Sequence, residues 1–114
     1  MKEYALKAED IKELAPDYGA AFVTDRITVD GLPVRFMYRE APDYNSDSGW
    51  RFMSGTEDDA YMENAANHSL MDVNTIANFD PSIVPFLDAP VGSVFEKVPG
   101  AADFEEVKNW NSPE

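Results

Sequence analysis

The feature that most constrains the fold is the dipeptide Asp30-Gly31, which stands between two apolar runs within residues 20–39. Asp-Gly between such runs favours a two-residue hairpin turn, because both residues tolerate the positive φ angles that this turn requires. The sequence therefore predicts two adjacent antiparallel strands. The pairs expected on the apolar face are Val29 with Leu32, Ile27 with Val34, Asp25 with Phe36 and Val23 with Tyr38. On the other face Arg26, Arg35 and Arg39 are expected in a surface network with nearby acids.

A third strand is predicted over residues 49–54, GWRFMS. Its side chains alternate, so Trp50 and Phe52 share one face while Arg51 and Met53 share the other. The large aromatic pair points to the core. A late strand is expected over residues 91–98, with the segment DFEEV as its partner.

Short helices are predicted between these strands. Residues 8–15 place apolar side chains on one face and stop at Pro16, and residues 56–64 carry three acids in a first turn capped by Thr56. Helical turns are expected to begin at Asp72 and at Asp80-Pro81. The whole pattern predicts a single α+β domain over residues 1–114, with an antiparallel sheet of about four or five strands and short helices packed on it.

The chain is strongly acidic, with 22 Asp and Glu against 9 Lys and Arg and a net charge of -13. Between Glu40 and Glu96 there are eleven acids, and Arg51 is the one basic residue. Phosphate backbones and anionic membranes would repel such a surface, so we expect neither nucleic acid nor membrane as a partner. Two readings of the acidity stay open: solubility alone, or attraction of a cationic protein. Without a signal-peptide or membrane-spanning pattern, the chain is expected to be cytoplasmic.

The acidic stretch DYNSDSGWRFMSGTEDD, residues 43–59, raises the question of calcium. A helix-loop-helix calcium site needs glycine at the sixth position and glutamate at the twelfth, whereas this stretch has Ser48 and Ser54 there. The side chains of Asp43, Asn45 and Asp47 are expected to close turns before the strand. We therefore expect no metal and no cofactor, although an irregular cation site in this loop remains an alternative.

The sequence offers little equipment for catalysis. His68 is the one histidine, the chain has no cysteine, and no nucleophile motif or phosphate-binding loop is present. The acids at 57, 58 and 59 are neighbours in sequence and point apart on a helix, which is poor geometry for shared acid–base work. The prediction is that the protein is not an enzyme. An enzyme would need a pocket in which His68 meets a carboxylate.

The chain resembles a known family of small bacterial proteins. The resemblance rests on TDRITVDG, MYREAPD, DSGWRFMSGTEDDAYMEN and DVNTIANFDPSIVPFLDAPVGSVFE. This family is grouped with the immunity proteins of polymorphic toxin systems. Residues 19–98 form the family-like core, residues 1–18 an N-terminal helical segment and residues 99–114 a C-terminal extension. The resemblance implies an α+β fold, cytoplasmic residence and no catalytic residues.

The resemblance also implies a function. Immunity proteins generally bind a toxin domain and occlude it, so the expected partner is a cognate toxin domain, cationic in keeping with the acidity. The expected alternative is a small-molecule or metal-binding accessory domain. The predicted partner-binding residues are Asp43, Asp47, Glu57, Asp58, Asp59 and Glu63.

Overall fold

The computed structural model describes residues 4, 6, 8–15, 17–42, 45–98, 101 and 103–107. Within them lie six strands, three short α-helices and three 3-10 helices. The strands are β1 (Ala20–Thr24), β2 (Phe36–Arg39), β3 (Asp47–Met53), β4 (His68–Asp72), β5 (Val94–Glu96) and β6 (Glu105–Glu106). The α-helices are α1 (Asp25–Thr28), α2 (Asp59–Glu63) and α3 (Val73–Phe79), and the 3-10 helices are Ala8–Asp10, Ala65–Asn67 and Pro81–Phe86.

The strands form one sheet in the order β4-β1-β3-β2-β5-β6. Strands β1 and β3 are parallel, and every other neighbouring pair is antiparallel. The α+β class is confirmed. The sheet is larger than predicted, with six strands, and it is mixed rather than wholly antiparallel.

The predicted hairpin over residues 20–39 is wrong. Strand β1 ends at Thr24, and residues 25–28 turn into α1, which buries Ile27 and Thr28 completely. Gly31 does adopt a positive φ of 77°, but it does so where the chain leaves this helical turn. Strand β3 then inserts between β1 and β2, so the predicted cross-strand pairs do not form.

The arginines of the predicted pairs separate accordingly. The guanidinium of Arg26 lies 4.6 Å from the ring centre of Tyr61, and Arg39 donates to the carbonyls of Ser48 and Ala89. Arg35 donates to the carbonyl of Val98 at 3.3 Å. These side chains therefore bind ring faces and backbone oxygens on different elements and do not share one arginine face.

The core lies on the face of the sheet that carries Trp50 and Phe52, which we call the inner face. Both side chains are fully or almost fully buried there, as the sequence predicted, and their rings stack with centres 6.0 Å apart. The indole Nε1 of Trp50 donates to the carbonyl oxygen of Leu87 at 3.2 Å. Helix α3 and the 3-10 helix at 81–86 cover this face, and their Ile76 and Ile83 are completely buried.

The predicted caps at Asp72 and Asp80 are confirmed. Asp72 accepts a hydrogen bond from the N–H of Asn74 at the start of α3, and Asp80 accepts one from the N–H of Ser82. Asp80 also accepts from the N–H of Val34 at 2.8 Å and pairs with the ammonium of Lys97 at 3.6 Å. One buried carboxylate therefore joins a helix start, a loop and the end of the sheet.

The helix predicted over residues 8–15 is wrong, because only Ala8–Asp10 is helical and as a single 3-10 turn. Two asparagines of α3 hold the following residues instead. Asn74 Oδ1 accepts from the N–H groups of Leu14 and Ala15, at 2.6 and 2.8 Å. Asn78 binds both the N–H and the carbonyl oxygen of Lys12. The asparagines of the VNTIAN motif thus fasten the N-terminal segment to α3.

We expect Asn74→Ala to lower the free energy of unfolding by about 3 kcal/mol. The substitution removes three hydrogen bonds to the N-terminal segment, each worth about 1 kcal/mol net. Urea denaturation measures the loss, and hydrogen exchange at Leu14 and Ala15 should accelerate. Asn45→Ala, at an exposed loop position, is the control. Equal stability of the two variants would contradict this role of Asn74.

Candidate functional site

The opposite face of the sheet, which we call the outer face, carries polar and apolar side chains together. Strand register places Phe22 and Tyr38 on either side of Arg51. Phe36 and Met53 form the next pair along β2 and β3. The described element that lies over part of this face is α2, through its half-buried Met62, which lines a cavity with these strands.

The centre of the outer face is a buried ion pair. The guanidinium of Arg51 donates to both carboxylate oxygens of Asp47 at 2.9 Å, and its Nε donates to Glu40 Oε2 at 2.7 Å. The Arg51 side chain is 7% exposed and that of Asp47 is 0% exposed. Burial lowers the pKa of Arg51, but the hydrogen bonds to the two acids raise it by more, so the pKa lies above its ordinary value. The Phe22 ring packs 4.9 Å from the guanidinium.

A glycine allows this arrangement. Gly49 adopts a φ of 86°, and a Cβ atom there would collide with the carbonyl oxygen of Glu40. The N–H of Glu40 donates to the carbonyl of Gly49 at 2.9 Å, so the two backbones touch. This close approach carries the Glu40 side chain to Arg51. Glu40 Oε1 is buried and accepts no hydrogen bond among the described residues.

A depression runs across the outer face. Its middle is a cavity of about 230 Å³ whose walls include Phe22, Tyr38, Met53 and Met62, with Glu40 and Arg51 also lining it. Towards β4 it continues into a second hollow of about 320 Å³, which shares Phe22 and Met62. Towards β5 it continues into a third of about 420 Å³, which shares Met53. The outer face is therefore a partly apolar groove rather than a flat surface.

The predicted partner-binding acids fall into three groups. Asp43 lies outside the described residues. Asp47 and Glu57 are turned inward, since Asp47 binds Arg51 and Glu57 accepts hydrogen bonds from Thr24 and Ser54. The exposed acids lie on or next to α2, and one of them, Glu63, lines the hollow towards β4. They are Asp58, Asp59 and Glu63.

Helix α2 begins later than the sequence predicted. Its cap is Asp58, whose carboxylate accepts from the N–H of Tyr61 at 2.8 Å, and not Thr56. The Thr56 hydroxyl instead contacts Ser54 Oγ at 2.7 Å. The helix is limited to Asp59–Glu63, so its acids stand on one short turn.

Glu57 fastens the segment before α2 to the sheet. Its Oε2 accepts from the hydroxyl of Thr24 and from the N–H and hydroxyl of Ser54, and its Oε1 accepts from the N–H of Gly55. Burial raises the pKa of Glu57, but these hydrogen bonds lower it by more, so the pKa lies below its ordinary value. The ionised form of Glu57 is therefore the one that stabilises the fold.

We expect Glu57→Gln to lower the free energy of unfolding by about 2 kcal/mol at neutral pH, because hydrogen bonds to a charged acceptor are lost. The wild-type protein loses this advantage as the pH falls below about 4.3, the ordinary pKa of glutamate. A carboxylate whose pKa is lowered by folding stabilises the folded state above its ordinary pKa, and this stabilisation is lost as the carboxylate becomes protonated. The free energies of unfolding of wild type and Glu57→Gln, measured from pH 7 to pH 3, should therefore converge as the pH falls. Glu63→Gln, an exposed control, should show a small gap at every pH. Parallel curves for wild type and Glu57→Gln would contradict this assignment.

Two alternative functions, a metal site and an enzyme active site, depend on the acidic side chains and on His68. Among the described residues, no group of three or more His, Asp or Glu side chains could hold a metal ion. His68 lines the same cavity as Glu40. Its Nε2 lies 3.0 Å from the carbonyl oxygen of Met62, and Glu40 Oε2 is held by Arg51. His68 Nε2 therefore binds the backbone of α2, and Glu40 Oε2 belongs to the ion pair with Arg51.

Sequence reasoning missed the centre of the outer face. It placed Arg51 and Met53 opposite the core aromatics, which is correct, but it did not connect Arg51 with Glu40, Phe22 or Tyr38. The signal that could have found them is a lone arginine in a strand whose neighbours are all apolar, because a buried guanidinium requires carboxylate partners.

Comparison with known proteins gives one match. A family model described as the immunity protein Imm33 domain matches residues 21–108, roughly three quarters of the chain. No curated protein and no solved structure matches the chain. Within the described residues, no helix has the length and apolar character needed to cross a bilayer.

Proposed function

The chain belongs to the immunity protein Imm33 domain family, and from this membership we propose that it binds a cognate toxin domain and neutralises it by occlusion, without chemistry. In this proposal the toxin seats on the outer face of the sheet. The protein acts in the cytoplasm, where a toxin entering or made in the cell would meet it.

The observation that carries the proposal is the composition of the outer face. A binding surface combines an apolar, well-packed centre with a polar rim. The groove offers Phe22, Met53 and Met62 at its centre. Glu63 lines its hollow towards β4, and Asp58 and Asp59 are exposed at the start of the same short helix. The inner face is covered by α3 and the 3-10 helix at 81–86.

Charge supports a cationic partner. The protein carries a net charge of -13, and the exposed Asp59 and Glu63 lie on α2, whose Met62 lines the groove. An acidic rim speeds the encounter with a basic protein and disfavours acidic ones. We therefore propose Asp58, Asp59 and Glu63 as the rim contacts, with Asp47 and Glu57 supporting the surface from within.

Co-expression in bacteria tests the proposal. The probe is the toxin domain encoded beside this gene, expressed alone or with the chain. We expect growth arrest with the toxin alone and normal growth with both. With purified proteins, toxin activity should fall linearly and reach zero at one equivalent. Full toxin activity in the presence of excess chain would overturn the proposal, and loss of activity at a small fraction of one equivalent would show catalysis instead of occlusion.

A further inference from the structure

The length of the groove on the outer face limits the kind of element that can fill it. Its three adjoining hollows run from β4, across β1, β3 and β2, to β5. Neighbouring strands lie about 4.8 Å apart, so the four steps from β4 to β5 cover about 19 Å. A helix covers this distance in about 13 residues, and an extended chain covers it in about six. One continuous segment of a partner can therefore span the whole groove.

The backbone of the sheet favours a helix over an extended segment. Strands β1, β3 and β2 form the floor of the groove, and each has a neighbouring strand on both sides. Their N–H and C=O groups are therefore used within the sheet. An extended segment crossing above them would find no backbone partners there, and buried backbone groups without partners are costly. A helix bonds its own backbone internally, so it needs to offer only side chains to this floor.

The side chains along the groove suit the apolar side of a helix. Phe22 and Met62 line both the middle cavity and the hollow towards β4, while Met53 lines the middle cavity and the hollow towards β5. Methionine is unbranched and adaptable, and such grooves commonly receive amphipathic helices. At the two ends stand exposed apolar residues, Leu70 at 51% and Val98 at 44%. Apolar side chains are thus offered at both ends and in the middle.

The charges at the two ends of the groove differ. Among the described residues, Glu63 is the one Asp, Glu, Lys or Arg that lines the hollow towards β4, and it is exposed. The hollow towards β5 is lined by two basic and two acidic residues, which are Arg35, Lys97, Glu57 and Glu96. The first hollow therefore attracts a positive charge, whereas the charges of the second are balanced.

We propose that the groove receives one amphipathic helix of the partner, about 13 residues long and lying across the strands. Its apolar side packs on Phe22, Met53 and Met62, and a basic residue at one end meets Glu63. This rests on the proposed function, because the helix would belong to the toxin domain. It adds to general acidity the element that binds, its direction across the sheet and the end that carries positive charge.

Photo-crosslinking tests the helix in the complex with the toxin domain encoded beside this gene. The chain has no cysteine, so Leu70→Cys and Val98→Cys each introduce one attachment site for benzophenone maleimide, one at each end of the groove. Both labels should react with a single helix of the toxin, at positions about 13 residues apart. Leu14→Cys, exposed on the N-terminal segment, is the control and should give little product.

The spacing of the crosslinks decides between the possible elements. Positions about six residues apart would indicate an extended segment, and positions on separate elements of the toxin would exclude a single segment. Either result would overturn the helix, as would equal yields from the Leu14→Cys control.

The basic end of the helix is tested by reversing the charge of Glu63. Glu63→Lys should weaken the complex by about tenfold at low salt. Replacing the basic residue of the toxin nearest the Leu70→Cys crosslink with glutamate should restore most of this loss in the double variant, because paired charges are coupled. Glu13→Lys, at an exposed acid of the N-terminal segment, should change the affinity less than about twofold. Equal losses in the two chain variants, or no restoration, would overturn the pairing with Glu63.

The outcomes separate this inference from toxin neutralisation. Crosslinks elsewhere within a formed and inactive complex would overturn the helix and leave neutralisation intact. Absence of any complex, together with full toxin activity, would overturn both.

Discussion

Replacing Arg51 with methionine is expected to lower the free energy of unfolding by about 3–5 kcal/mol, the largest loss for any single substitution considered. Methionine fills much of the same space, so the effect comes from charge. Without the guanidinium, the carboxylates of Asp47 and Glu40 remain buried with no counter-ion from β3. Urea denaturation followed by tryptophan fluorescence is suitable, because Trp50 is buried next to Arg51 in the same strand.

The matched control is Arg35→Met. Arg35 is half-buried and donates one 3.3 Å hydrogen bond to the carbonyl of Val98, so its loss should cost less than about 1 kcal/mol. Similar losses of unfolding free energy in Arg51→Met and Arg35→Met would contradict a dominant contribution of the buried ion pair to stability.

Reversing the exposed charge on α2 is expected to slow association with the toxin by about tenfold at low salt, with little effect on folding. The variant combines Asp58→Asn, Asp59→Lys and Glu63→Lys. Asparagine is chosen at position 58 because it preserves the cap of α2 that Asp58 now provides. Stopped-flow measurement at several salt concentrations gives the association rate. The difference from wild type should shrink as salt rises, because exposed charges are screened.

A second set of acids provides a control of equal charge. Glu9→Lys, Asp10→Asn and Glu13→Lys change the net charge by the same amount on exposed residues of the N-terminal segment. That segment is fastened to α3, on the other side of the sheet. If both triple variants slow association equally, the total charge and not the α2 rim governs capture.

The sequence predicted those elements whose signals are local. The alternation in GWRFMS placed Trp50 and Phe52 in the core. An aspartate directly before a valine (Asp72) or a proline (Asp80) predicted the two helix caps that the structure confirms. The hairpin prediction failed because Gly31 at positive φ serves a helix end as well as a hairpin turn. The deciding interaction, insertion of β3 between β1 and β2, joins residues far apart in sequence.

The candidate site shows the same difference between local signals and interactions of residues far apart in sequence. The sequence located an acidic segment, and Asp58, Asp59 and Glu63 are exposed on it. It could not tell them from Glu57, because Glu57 is turned inward by Thr24, 33 residues away. The partners of Arg51 depend likewise on the close approach of Glu40 and Gly49.

The central claim is that the toxin seats on the outer face, and the methionines of the chain test it directly. Met53 and Met62 line the groove, whereas Met37 is buried in the core and Met71 packs against it from the inner face. Methyl spectra of the labelled protein should be recorded with and without one equivalent of toxin. The account predicts large changes at Met53 and Met62 with little change at Met37 and Met71. Changes confined to Met71, with the Met53 and Met62 signals unmoved in a formed complex, would contradict it.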